Sequence, residues 1–242
     1  MKPGLTPFSE IWVYLSGSPL LALVLTLSAY LVGLTIYERT ERKPWANPVL
    51  IAVILTACAI NTFGMSYAKY FEGAQFVHFL LGTATVALAI PIYKGWASLK
   101  GRVWALLLAL FAGAITSIVT AVGMARLLGV DEKLVRGLVA KSVTAPIAMG
   151  IAESVQASPT LTAIFAVSTG ILGAVLGRFV LNILHISEWW QRGFALGVAA
   201  HGIGTSRALS VHPEAGAYAS LGMGMHGIMG AVLIPYVAVY FL

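Results

Sequence analysis

The chain has 242 residues, of which 59% are hydrophobic and only 10% are charged. Soluble domains carry about 25% charged residues because their surface needs polar groups, so this composition excludes a soluble globular fold. The net charge of +6 could indicate a nucleic-acid partner in a soluble protein. Here the basic residues cluster in short loops between apolar runs, which is typical of membrane topology signals. We therefore expect a lipid bilayer, and no nucleic acid, as partner.

The apolar runs predict helices. They are far longer than the roughly 10 residues of a membrane β-strand and lack its alternation. Lipid also requires every backbone polar group to be paired within the protein. In chain order, spans are predicted at 19–37, at 48–65 with Asn47 as N-cap, at 72–93 and at 102–128. The loops 38–47 and 94–102 each hold three Lys or Arg residues, which predicts a cytoplasmic location for both.

The second half of the chain is less regular. Residues 131–136 are predicted to be interfacial, 141–150 form a moderately apolar segment, and 159–183 are a strong span. Residues 193–209 are glycine-rich and interrupted, and 215–242 form the last span. The fold class expected is an all-α membrane protein, a polytopic bundle of seven or eight membrane segments. Two of these segments are interrupted or re-entrant. An N-terminal extension, 1–18, would precede a single transmembrane domain, 19–242.

Two pairs of short segments resemble each other. Residues 83–85 resemble 144–146, and 89–93 resemble 233–236. Such similarities fit the internal repeat that many transporters have, in which helices broken by Gly or Pro lie at corresponding positions of the two halves. They also arise by chance in an apolar chain, so both interpretations stay open.

The first polar interruption is the run from Lys141 to Ala148. Pro146 is well placed for the first turn of a helix, and Ser142 or Thr144 can cap it. A helix that begins inside the membrane aims its free N–H groups and positive dipole end at one point, and Lys141 adds a full charge there. This arrangement predicts a carboxylate-binding site. The alternative is an ordinary helix start at the interface, with Lys141 extending to water.

The second interruption lies at residues 199–208. Gly193, Gly197 and His201 are four residues apart and should share one helix face, where glycines permit close helix packing. The two glycines after the histidine loosen the helix, and the hydroxyl and guanidinium groups that follow suit a carboxylate. The residues of this segment expected to bind substrate are His201, Gly202, Gly204, Thr205 and Arg207. A single histidine in a bundle is otherwise a hydrogen-bonded core residue.

Three further features have weaker functional interpretations. Residues 222–227 match G-x-G-x-x-G, but no strand precedes them, so we interpret the glycines as a packing face, with His226 either structural or lining a cavity. Gly173 and Gly177 form a GxxxG pair, which also predicts helix packing. Thr83 and Thr85 are expected to face a substrate cavity, although threonines in membrane helices often bond to their own backbone.

No enzyme, metal or cofactor site is expected. The sequence has neither a G-x-S-x-G nucleophile elbow nor an H-E-x-x-H motif. The single cysteine, Cys58, lies in an apolar run without a neighbouring Cys or His, and is interpreted as a small core residue.

Four runs carry a family resemblance: 73–91, 141–148, 169–177 and 200–205. They resemble the LrgB/CidB family, and the similarity extends from about residue 18 to the C-terminus. This family includes the YohK-type inner-membrane proteins of bacteria and the C-terminal half of the plastid glycolate/glycerate translocator. The resemblance implies a multi-pass protein of the bacterial inner membrane. This chain departs from the family pattern at Thr83, where proline is common, and at Gly150, where a larger residue is usual.

The resemblance implies two functions. One is transport of small monocarboxylates such as glycolate, glycerate or pyruvate, for which we expect alternating access, with His201 providing a hydrogen bond or a proton for symport. The other is an antiholin-like or holin-associated role that modulates murein hydrolase export and lysis. A small LrgA/CidA-type membrane partner, a homo-oligomer, or both are expected. The convergent donors near Lys141 and His201 favour transport, because a pore does not need them.

Overall fold

A computed structural model describes residues 19–87, 90, 93 and 101–241, without the side chains at 78, 81, 82, 84, 85, 237 and 239–241. The described elements are all helical, with no strand in these ranges, which confirms the predicted all-α class. The α-helices are α1 Pro19–Arg39, α2 Pro48–Thr62, α3 Tyr67–Ala87, α4 Val103–Leu127, α5 Glu132–Leu138, α6 Ala145–Ser154, α7 Pro159–Ile183, α8 Trp189–Val211 and α9 Pro213–Phe241. The predicted extension 1–18 lies outside the described residues.

The chain divides between Ala84 and Thr85 into two compact units. In the first unit, α1 packs against α2 and approaches α3 at Gly73, where a Cβ would lie 2.1 Å from the carbonyl oxygen of Pro19. Asn47 Oδ1 accepts hydrogen bonds from the first amides of α2, as its predicted N-cap role requires.

Among the described residues, four helices are long and apolar enough to cross a membrane by length and composition: α1, α4, α7 and the part of α9 from Pro213 to Tyr236. Helix α2 is apolar but shorter. The predicted number of seven or eight segments therefore remains a prediction. Cys58 on α2 is exposed, so its interpretation as a core residue was wrong. An apolar lipid phase accepts a thiol on the outside of a helix as readily as the core does.

The second unit is built around the closely packed pair α8 and α9. At Gly193 and Gly197 of α8, a Cβ would lie 2.1 and 2.0 Å from the carbonyl oxygens of Ala215 and Ala219 in α9. Only glycine permits such an approach of two backbones, and the predicted packing role of these glycines is confirmed.

The other helices of this unit pack around that pair. Helix α7 packs against α5, α6 and α8, while α4 packs against α5, α8 and α9. Gly173 and Gly177 of α7 face α8, because a Cβ there would lie 2.4 Å from Ala200 Cβ and 2.6 Å from Leu196 Cδ2. The GxxxG pair therefore packs helices as predicted. Helices α7 and α9 each contact both α6 and α8.

Candidate functional site

The turn between α5 and α6 holds a lysine whose hydrogen-bond partners are hydroxyl groups. Lys141 Nζ donates to Ser117 Oγ of α4 at 2.9 Å and to Ser142 Oγ at 3.0 Å. The two serine oxygens are 2.7 Å apart. In the described part of the chain, the ion pairs involve Arg102 and Arg126, and none includes Lys141. Hydroxyls solvate an ammonium without neutralising it, so this cation retains its attraction for an anion.

Lys141, Ser117 and Ser142, here called the lysine cluster, lie beside the middle of α4, a helix long and apolar enough to cross a membrane. Ser117 comes fourteen residues after Val103 and ten before Leu127, the two ends of α4. At 1.5 Å per residue, it is about 15 Å from the nearer end. Lys141 therefore donates its hydrogen bond near the middle of α4 rather than near either end of that helix.

Helix α6 begins beside this lysine, as the sequence predicts. Thr144 is its N-cap, with extended backbone (φ −60°, ψ 145°), and Pro146 lies in the first turn. The first amides of a helix have no partner within it. Since Pro146 has no amide hydrogen, those of Ala145 and Ile147 are the donors at this end.

The Thr144 hydroxyl does not cap α6, contrary to one of the two capping alternatives. Thr144 Oγ1 and Thr162 Oγ1 are buried hydroxyls without a hydrogen-bond partner among the described atoms. A buried polar group without a partner costs about 1–3 kcal/mol, so native proteins rarely leave one unless a ligand or water fills the place. The Thr144 hydroxyl is thus a spare donor three residues from Lys141.

Helix α8 is broken at Ala200 (φ −128°, ψ 16°) and His201 (φ 40°, ψ −131°). The sequence predicts the loosening at Gly202 and Gly204, but both keep helical dihedrals, and the break lies immediately before them. Gly204 instead provides space, because a Cβ there would lie 2.6 Å from Ala200 Cβ. The predicted interruption exists, and its predicted position was wrong by one to four residues.

The break also changes which way His201 points. Gly193 and Gly197 face α9, whereas the His201 ring faces α7, where its Nε2 lies 2.7 Å from the carbonyl oxygen of Ala166. The expectation that these three residues share one face was wrong, because the 3.6-residue period does not continue through non-helical dihedrals.

Ala166 of α7 connects the two interruptions. Its side chain lies in the same buried apolar cluster as Val143 and Ala148, at the start of α6. Its carbonyl oxygen accepts the hydrogen bond from His201 at the break in α8. Further along α7, a Cβ at Gly170 would lie 2.7 Å from His201 Cε1. The start of α6 and the break in α8 are therefore held against one stretch of one spanning helix.

The sequence of this chain matches a known protein family. The model of the LrgB-like family matches residues 26–240. The chain belongs to the LrgB-like family. YxaC of Bacillus subtilis is 33% identical over 218 residues, which cover 90% of this chain and 94% of YxaC. The holin-like protein CidB of Staphylococcus epidermidis is 28% identical over 91% of this chain and 96% of its own length. No solved structure gives a significant match. The LrgB/CidB resemblance expected from the motifs is confirmed.

Other predicted residues of this LrgB-like protein have different surroundings. Thr205 Oγ1 donates to the carbonyl oxygens of His201 at 2.7 Å and of Ala219 at 3.3 Å, so its proton is used inside the fold. Arg207 is half-buried in the second part of α8. Thr83 of the first unit is exposed and bonds back to the carbonyl oxygen of Leu80. The side chain of Thr85 lies outside the described residues. Substrate contacts by these four residues remain predictions.

Three participants were not predicted from the sequence. Ser117 is a polar residue in the middle of an apolar span, a signal that the sequence does contain. The carbonyl of Ala166 and the bond from His226 Nδ1 to the carbonyl oxygen of Val198, at 2.8 Å, have no sequence signal. His226 is 2% exposed and is buried within the bundle.

A cavity of about 640 Å³ lies between α4 and α9 of the LrgB-like chain. Its walls are apolar except for Arg126 and His226, and Lys141 and His201 do not line it. Arg126 hydrogen-bonds to Glu132, which lowers the pKa of the exposed Glu132 carboxyl below its ordinary value. This cavity is separate from the lysine cluster.

Two matched substitutions test whether the Thr144 hydroxyl is spare. Thr144→Val removes a hydroxyl without a partner, so the melting temperature of the purified protein should stay constant or rise. Thr205→Val removes the donor to two carbonyl oxygens and should lower the free energy of unfolding by about 1–3 kcal/mol. Thermal unfolding in detergent measures both. An equal loss of stability in the two variants would show that the Thr144 hydroxyl has a structural partner.

Proposed function

We propose that this LrgB-like protein transports small monocarboxylate anions, such as glycolate, glycerate or pyruvate, by alternating access. The observation that carries the proposal is the Lys141 ammonium, which lies in the turn before α6, beside the middle of α4, and is hydrogen-bonded to two hydroxyls. Ionisable groups within the membrane are costly and usually functional. A carboxylate would supply the missing negative charge, and its second oxygen would accept from the Thr144 hydroxyl or the first amides of α6.

The donor set favours a small substrate with one negative charge. The hydroxyls of Ser117 and Ser142 surround the ammonium, so an oxygen on the carbon next to the carboxylate would meet a further hydrogen-bonding group there. A second carboxylate would bring a charge that Lys141 alone does not neutralise. The free-energy cost of burying that unpaired charge would favour binding of monocarboxylates over dicarboxylates.

The broken helix supports a conformational cycle. Transporters place substrate sites near the bilayer midplane at discontinuous helices, and rocking about that point exposes the site to either side. The break at His201 and the start of α6 both contact α7. In this proposal His201 forms one wall of the site and supplies the proton for symport, and Arg207, Gly202, Gly204 and Thr205 belong to the moving segment of α8.

A holin-related role is the second candidate. The staphylococcal relatives are called holin-like proteins. In that case the chain would modulate murein hydrolase export and lysis, together with a small LrgA/CidA-type membrane partner or as a homo-oligomer. This candidate does not account for a mid-membrane ammonium beside a spare hydroxyl.

Uptake by proteoliposomes separates the two candidates. Purified protein is reconstituted with sucrose inside, and entry of labelled glycolate is measured with a pH gradient and without it. The carrier proposal predicts saturable uptake, faster with an inward proton gradient, with competition by pyruvate but not by succinate, and retention of sucrose. Sucrose release with unsaturable glycolate entry would contradict the carrier and support a pore. Uptake that needs a co-reconstituted LrgA-type partner would make this chain one subunit of the carrier.

Replacement of the lysine tests the site itself. Lys141→Met should raise the KM for glycolate roughly 10- to 150-fold, because a hydrogen bond to a charged group contributes about 1.5–3 kcal/mol. Lys133→Met is the matched control, since Lys133 is an exposed lysine of α5. Its KM should equal that of the wild type. Equal KM values for both variants, with unchanged melting temperatures, would remove Lys141 from the site.

A further inference from the structure

The break in α8 leaves carbonyl groups that need new donors. In a continuous helix each carbonyl accepts from the amide four residues later. The non-helical dihedrals of Ala200 and His201 lie between Val198 and that amide, at residue 202. Buried backbone carbonyls are nearly always hydrogen-bonded, so Val198 requires a partner from elsewhere in the fold.

His226 is that partner. Its Nδ1 lies 2.8 Å from the carbonyl oxygen of Val198, although the two residues are 28 positions apart. A carbonyl oxygen only accepts, so the proton of this bond is on Nδ1 and the neutral ring is in the Nδ1–H form. The next residue, Gly227, provides space for α6, because a Cβ there would lie 2.9 Å from Ile147 Cδ1. His226 therefore lies between the break and the start of α6.

His201 makes the complementary bond with the other ring nitrogen. Its Nε2 lies 2.7 Å from the carbonyl oxygen of Ala166, so the neutral ring carries its proton on Nε2. His201 also has φ of 40°, a backbone conformation that is strained for any residue except glycine and persists only when its surroundings hold it. Gly170 leaves room for the ring, since a Cβ there would lie 2.8 Å from His201 Nε2.

We infer that His226 is a positioning residue of the transport site, and that His226 and His201 form a clasp with opposite tautomers that holds the break in α8. His226 Nδ1–H ties Val198, on the near side of the break, to α9. His201 Nε2–H ties the break itself to α7. Helices α7 and α9 also contact the start of α6. The clasp therefore fixes the distance between the broken helix α8 and the lysine cluster. This inference rests on the proposed function only for its effect on transport.

Amide side chains can test the clasp because they imitate one ring nitrogen each. The amide nitrogen of asparagine lies close to the position of histidine Nδ1, and that of glutamine lies close to Nε2. The clasp predicts that His226→Asn and His201→Gln preserve the break. His226→Gln and His201→Asn should disrupt it. Position 226 should prefer asparagine and position 201 glutamine. Because all four variants lose the imidazole ring, this opposite preference controls for the loss of the ring itself.

Two measurements record the result. Hydrogen exchange followed by mass spectrometry should show residues 196–204 exchanging about tenfold faster, or more, in His226→Gln than in His226→Asn, because a buried carbonyl loses its donor. Glycolate uptake should show a correspondingly lower maximal rate in His226→Gln with KM within about twofold of the wild type, because a positioning residue does not contact the substrate.

The outcomes separate this inference from the proposed function. Equal exchange rates in His226→Asn and His226→Gln would overturn the clasp, as would a rise in KM without a fall in maximal rate. If the exchange pattern appears but the wild-type protein transports no glycolate, the clasp is upheld and the transport proposal fails. If the wild type transports and exchange does not distinguish the variants, the reverse holds.

Discussion

An ammonium group at the middle of a membrane needs a negative partner or strong hydrogen bonds, because lipid does not solvate it. In this protein Lys141 has two serine hydroxyls, one from a spanning helix and one from its own turn. Hydroxyls reduce the desolvation cost but leave the charge in place. The start of α6, three to four residues further along the chain, has the buried Thr144 hydroxyl without a hydrogen-bond partner among the described atoms. In the proposed function, these groups would together bind the carboxylate of the substrate.

The break in α8 depends on close packing that only glycine permits. Gly170 and Gly173 of α7 provide space for His201 and Ala200, while Gly197 brings α8 against the backbone of α9. Within this packing the imidazoles reach carbonyl groups on helices distant in sequence. Two hydrogen bonds, one from each imidazole, therefore join the region of the break to the neighbouring helices α7 and α9. Gly173 and Gly197, which the sequence predicts to pack helices, therefore also support the interruption.

Much of the local structure could be predicted from single residues. Asn47 and Pro146 mark the starts of α2 and α6 because a side-chain acceptor and a fixed φ act within one turn. The position of the break could not be predicted, since glycine permits a break without requiring one. What fixes it are the bonds of His201 to Ala166 and of His226 to Val198, 35 and 28 residues apart. Ser117 could have been found as a serine inside an apolar span, but its pairing with Lys141 depends on how α4 packs.

In the proposed function, the Thr144 hydroxyl and the Lys141 ammonium face a place that an anion can enter. Cys58 is the only cysteine, so Cys58→Ser provides a background in which Thr144→Cys is the single thiol. The rate of its modification by negatively and positively charged methanethiosulfonates of similar size tests the claim directly. We expect faster reaction with the anionic reagent, slowed by glycolate but not by succinate. Equal rates with both reagents, unaffected by glycolate, would contradict it.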